Sequence, residues 1–139
     1  MLELEDREPF GEHGPVTIGQ RGTAPDPYPL DELAAALADE LDHGGAGVQV
    51  LPSGPREIED IAIVTGSGVD WIGEAADVGA DALVTGEGKQ QAYHDAREAG
   101  ITVVLAGHYA TETFGVQALR ELVEEWGPET TYIGHPTGL

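Results

Sequence analysis

The chain has 139 residues, 40% of them hydrophobic, enough for one domain with its own core and too apolar for a disordered segment. It carries 26 acidic against 6 basic residues, a formal net charge of −20, and such a field repels nucleic-acid phosphate and anionic membrane surfaces. There is no cysteine, so disulfides and thiolate metal sites are excluded and any metal must be held by His, Asp and Glu.

The N-terminus, "MLELEDREPFGEHG", has neither a basic start nor an apolar h-region, and no apolar run approaches the roughly 18–20 residues that span a bilayer. A cytoplasmic location is the expectation. Alternation in "PVTIGQRG" (residues 15–22) predicts a strand. "TAPDPYP" follows, with prolines at 25, 27 and 29, and reads as a loop. In "LDELAAALADELDHGG" (residues 30–45) Leu30, Leu33, Ala34, Leu37 and Leu41 fall on one helical face, with Gly44 and Gly45 as the stop. "VQVL" (residues 48–51) is a short strand closed by the turn "PSGP".

From Ile58 strands and helices alternate: strands at "IEDIAIVTGSG", "DALVTGEG", "ITVVLAG" and "TTYIG", helices at "DWIGEAADVGA", "KQQAYHDAREAG" and "YATETFGVQALRELVEEW". Strands that are continuous apolar runs, separated by helices of about 10–16 residues, indicate parallel pairing and right-handed crossovers. The expected class is therefore α/β, a single domain over residues 1–139 with a mixed, mostly parallel sheet flanked by helices. The acids are spread over all these elements, and Lys89 is the one lysine. A dispersed acidic surface of this kind is the composition of a halophilic protein, since high salt screens the self-repulsion.

In such sheets ligands bind outside the carboxyl ends of the strands. Three of those ends set glycine beside polar groups: "TGSGVD" (residues 65–70), "TGEGKQ" (residues 85–90) and "AGHYATE" (residues 106–112). The first invites a phosphate-loop reading, but the spacing of Gly66, Gly68 and Gly73 fits no nucleotide fingerprint, and a tight turn explains it as well. In the second, Glu87 stands at a strand end and His94 about two turns into the next helix; alone, they are a helix-start acid and a half-buried helix residue. In the third, His108 follows the strand and Glu112 lies four residues on, in the first helical turn. The pair reads either as metal ligands, suited to zinc, manganese or iron, or as a surface imidazole and a helix-start acid. His13 and His135 read as solvated loop residues, and His43 as a cation at a helix C-terminus.

The stretches "GADALVTGE", "YHDAREAG", "AGHYATETFGVQAL" and "HPTGL" together resemble the dinuclear-metal-centre hexameric proteins, many of them named GTP cyclohydrolase 1 type 2 homologs. The resemblance runs from about "VTIGQRG" to the end. It implies metal-ligand roles for His108 and Glu112, and positions lining the site, as orienting or substrate-facing groups, for Glu87 and His94. Typical members are about twice this length, and their N-terminal half supplies a His-His pair and an aspartate. This chain has no His-His pair and resembles the C-terminal half. The implied function is a share in a dinuclear site of divalent ions, with metal-dependent hydrolase-type chemistry on a nucleotide, in a homo-oligomer such as a hexamer. The alternative is a non-catalytic metal-binding scaffold or an inactive fragment.

Overall fold

A computed structural model of the protein describes residues 2–138. Its elements, in chain order, are β1 (Glu5–His13), β2 (Val16–Pro29), α1 (Leu30–Glu40), β3 (Gln49–Leu51), β4 (Glu57–Val64), α2 (Ile72–Asp77), β5 (Ala82–Thr85), α3 (Ala92–Ala99), β6 (Thr102–Leu105) and α4 (His108–Glu125). A 3-10 turn, Val69–Trp71, leads into α2. The strands form one sheet in the order β1-β2-β4-β5-β6-β3.

The α/β class holds, but parallel pairing is confined to β4, β5 and β6 at the centre. The pairs β1–β2, β2–β4 and β3–β6 are antiparallel, so antiparallel pairings outnumber parallel ones. The reason is connection length: the tight turn at Gly14 and Pro15 can only return β2 antiparallel to β1. Helices α2 and α3 cross over between the three central strands, and α1 connects β2 to β3 at the opposite edge of the sheet.

Successive side chains on those strands point to opposite faces, and both faces are covered. Ile61, Ala82, Val84 and Val104 pack with Leu33 and Leu41 on one side and with Ala106 and Ala110 at the start of α4. Ala62, Val64, Leu83 and Val103 pack on the other side against Ile72 and Ala75 of α2 and Ala92 and Ala96 of α3. Leu33, Ile61, Leu83, Val103 and Val104 are fully buried, and each such side chain contributes about 1.5–3 kcal/mol.

The structure departs from expectation at both ends of the chain. The predicted loop over residues 23–29 belongs to β2. Its register against β4 shifts between Thr23 and Tyr28, so Pro25 and Pro27 sit in an irregular stretch where no ladder N–H is required of them. Strand β1 has no apolar run to announce it, since Phe10 is its one buried hydrophobic residue. It is held by α2: the Glu74 carboxylate accepts the N–H groups of Gly11 (3.0 Å) and Glu12 (3.4 Å), and the Trp71 indole N–H donates to the Glu12 carbonyl. The strand expected at "TTYIG" does not form. Ile133 is exposed there, so pairing would bury little, and the tail is instead tied to α4 through the Tyr132 and Tyr109 hydroxyls, 3.2 Å apart.

Helix ends also shift. Helix α1 stops at Glu40 rather than at the glycines, because Leu41 turns extended and drops into the core. Helices α2 and α3 are shorter than predicted, and α4 begins at His108, one residue earlier.

Candidate metal centre

The parallel strands β4, β5 and β6 all deliver their carboxyl ends to one edge of the sheet, and the loops there are hydrogen-bonded to each other. The Gly66 carbonyl, after β4, accepts the N–H groups of Gly86 and Glu87, after β5, at 2.9 and 3.0 Å. The Gly86 carbonyl in turn accepts the Gly107 N–H, after β6, at 2.8 Å. Two threonines close the arrangement. The Thr111 hydroxyl accepts the Gly66 N–H at 3.0 Å and lies within donating distance of the Gly107 and His108 carbonyls. The Thr85 hydroxyl accepts the Gly68 N–H at 2.8 Å and donates toward the Gly66 carbonyl. Gly66 and Gly68 therefore spend their N–H groups inward, which settles "TGSG" as a structural turn rather than a phosphate cradle.

Gly107 allows β6 to become α4 without a linker, because its φ of 94° is open to glycine and costly for other residues. His108 is then the first residue of α4, and its ring lies between two carboxylates. Nδ1 is 3.1 Å from Glu87 Oε1, and Nε2 is 3.2 Å from Glu112 Oε1. The Glu87 hydrogen bond raises the His108 pKa above the ordinary imidazole value, the Glu112 and Glu87 charges add to this, and partial burial opposes it.

This geometry fits a divalent ion in one direction and not in the other. Two donors about 2.1 Å from a common ion, at an angle near 100°, stand about 3.2 Å apart, the separation seen for His108 Nε2 and Glu112 Oε1. Beneath them is Gly66, at φ 68°; a Cβ there would lie 2.7 Å from Glu112 Oε1 and 3.2 Å from His108 Nε2. The absent side chain is what leaves room between the two donors. Glu87 faces the opposite ring nitrogen, the place of an acid that orients a ligating histidine and fixes its tautomer. Among the described residues, no three His, Asp or Glu side chains converge on one point. Two donors meet, and the third carboxylate stands behind one of them.

Of the four residues singled out from the sequence, His108, Glu112 and Glu87 come together. His94 is exposed on α3, its ring edge-on to Tyr93 at 5.4 Å, and no hydrogen bond or ion pair among the described residues links it to the other three. Next to Glu87 lies a cleft of about 330 Å³, bounded by Val48, Gln49, Gly88, Leu105 and Gly138. His43 is built into the chain: its Nδ1 accepts the Gly47 N–H at 3.0 Å and its Nε2 meets the Ala38 carbonyl at 3.1 Å. The ring thus joins the end of α1 to the loop that follows it. His13 leans on Trp71, and the His135 N–H donates to the Tyr109 hydroxyl. The roles of Thr85, Thr111 and Gly66 went unread in the sequence; the repeated "TG" at two strand ends was the available signal.

The chain is 55% identical over 139 residues to a Halobacterium salinarum protein named GTP cyclohydrolase 1 type 2 homolog, matching 100% of this chain and 55% of that one. A Pyrococcus abyssi protein of the same name is 43% identical over 142 residues, again matching 55% of its length. The chain thus spans about half the length of these curated relatives. Among solved structures, TTHA1606 from Thermus thermophilus superposes with a TM-score of 0.78 at 36% identity, over 98% of this chain and 52% of that one. The sequence profile of the DUF34/NIF3 family (NGG1p interacting factor 3) matches residues 1–134, and the chain belongs to that family.

Proposed function

We propose that the protein binds a divalent metal ion through His108 Nε2 and Glu112, with Glu87 orienting the imidazole, as its share of a dinuclear centre. The observation that carries this reading is the 3.2 Å approach of Nε2 and Oε1 over the bare backbone of Gly66. Imidazole and carboxylate together suit zinc, manganese or iron. A pair of such ions activates water and polarises an electrophilic centre, the chemistry of metal-dependent hydrolases.

The chain's own part is to hold the ligands and shape their surroundings. Glu87 would accept the hydrogen bond from Nδ1–H, leaving the Nε2 lone pair on the Glu112 side. The threonine-locked loops keep His108 and Glu112 in register with Gly66. The relatives' name suggests a nucleotide such as GTP as substrate, and the cleft beside Glu87 is where the chain offers space next to the ligands. A metal-binding scaffold without turnover is the second reading, favoured by the convergence of only two donors among the described residues.

Metal binding to the wild type and to His108→Ala, measured by calorimetry in molar potassium chloride, tests the first step. Binding should be weak in the wild type and absent in the variant, with unchanged circular dichroism. Equal binding by both proteins would end the metal reading. Metal-dependent conversion of GTP then separates the hydrolase from the scaffold.

A further inference from the structure

The polypeptide after α4 forms neither helix nor strand, and residues 133–138 are all exposed, yet hydrogen bonds fix its course. It starts at the outer end of the helix, where Gly127 turns the chain at a φ of 103° and the Thr130 hydroxyl donates to Glu124. It returns to the first turn: the His135 N–H donates to the Tyr109 hydroxyl at 2.7 Å, and the Tyr132 hydroxyl lies 3.2 Å from the same oxygen. From Tyr109 to Trp126 the helix rises about 25 Å, at about 1.5 Å per residue. The stretch from Trp126 to His135 spans at most about 30–32 Å when fully extended. The returning segment therefore has little slack, and its far end sits where Tyr109 holds it.

Beyond His135 the chain meets the loop between α1 and β3. A Cβ built on Gly44 would lie 3.0 Å from Pro136 Cβ, and one on Gly138 would lie 3.9 Å from Ala46 Cβ. That loop is itself held, since the His43 ring ties it to α1. Gly138 thereby joins Val48 among the walls of the cleft of about 330 Å³ that Glu87, Gly88 and Leu105 also bound. Small-molecule sites run from about 300 to 1,000 Å³, so this one is near the lower limit. Tyr109 directly follows His108, so the fastening and the imidazole share one turn of α4.

We propose that residues 132–138 are a strap closing one side of the cleft beside Glu87, that Tyr109 is the positioning residue that fastens it, and that the fastened strap admits a ligand the size of a heterocyclic base while excluding bulkier groups. The strap stands on its own hydrogen bonds. Only the statement that a substrate uses the cleft rests on the function proposed above.

The chain has no cysteine, so one introduced residue gives a single reporter of entry. Gln49 lines the cleft and pairs with Leu105 in the β3–β6 ladder, which puts both on one face. In Gln49→Cys, in molar potassium chloride, methyl methanethiosulfonate should react freely and fluorescein maleimide slowly. Adding Tyr109→Phe should raise the fluorescein maleimide rate about tenfold, leave the small reagent's rate unchanged, and speed exchange of the His135 amide about tenfold, with the Gly107 amide as slow as before. His108→Ala should alter neither labelling rate. Should Tyr109→Phe fail to fold, Tyr132→Phe removes one of the two contacts and should give a smaller change in the same direction. Equal fluorescein maleimide rates with and without the Tyr109 hydroxyl overturn the strap. So does a rise shared by the small reagent, or a His135 amide that exchanges as fast in the wild type as in the variant. If the strap results hold and the wild type binds no metal, the strap stands and the use of the cleft by a substrate falls.

Discussion

The two ends of α4 obey different rules. In its first turn every side chain has an assignment inside this chain: Ala110 in the core, Thr111 holding the Gly66 loop, His108 between two acids. In the last three turns Val116, Leu119, Leu122 and Trp126 are exposed. The first turn shapes a site, and the outer turns leave this stripe of apolar side chains to solvent.

Salt should separate the two ends most strongly. With 26 acids dispersed over the chain, dilute buffer leaves the repulsion unscreened, and we expect the fold to be lost there and regained in molar potassium chloride, as read by circular dichroism. As salt is lowered, amide exchange should open the outer turns of α4 before the strand-end loops. A salt-independent melting temperature with uniform protection would break the comparison.

Within the site, Gly66→Val should reduce metal affinity about 100-fold, because its side chain fills the space between His108 and Glu112. The left-handed backbone at that position adds about 1–2 kcal/mol of strain, measurable by urea unfolding. Thr111→Val keeps the shape but leaves the buried Gly66 N–H without its acceptor, and should destabilise the chain by about 1–3 kcal/mol, with Thr111→Ser restoring most of the loss.

The pH dependence has two signs. His108 has a raised pKa in the folded state, so its contribution to metal-free stability is fully present below the ordinary value of 6.5 and fades as pH rises through the folded value. Metal binding runs the other way: below the folded value a proton competes for Nε2, and apparent affinity should fall about tenfold per pH unit. An NMR titration of the His108 ring, with and without zinc, checks both signs. At the outer end of the helix, Leu122→Gln should change the stability of the isolated chain by no more than about 0.5 kcal/mol, despite removing a leucine. A larger loss would mean that the stripe already packs on this chain.

Why some of this could be read in the sequence and some could not follows from the range of the interactions. The approach of His108 to Glu112 was legible because a strand end fixes one side chain and the next helical turn fixes the other, all within five residues. The central strands were legible because both their faces are buried, which writes continuous apolar runs. Thr111 was not, since its partner Gly66 is 45 residues away and meets it only once β4 and β6 flank β5. Strand β1 escaped notice because its stability lies in backbone pairing and in the Glu74 carboxylate, neither of which leaves a hydrophobic pattern. The tail "TTYIG" was misread for the converse reason: its local pattern suits a strand, but the hydroxyls of Tyr132 and Tyr109 decide where it lies.

The edge of the sheet at β1 bears on how the protein would keep two such edges apart if the salt around it were concentrated. Its sequence, "EDREPFGEH", places Glu5, Asp6, Glu8 and Glu12 along the outermost strand, and the ladder to β2 is irregular between Glu5 and Glu8, where Asp6 takes a φ of 46°. Salt that screens the acids also removes the charge barrier that would keep two such edges apart. The distorted backbone at Asp6 is indifferent to ionic strength, and it prevents another strand from extending the ladder in register. Protection against fibril growth is thus written into backbone shape, which no amount of salt can screen.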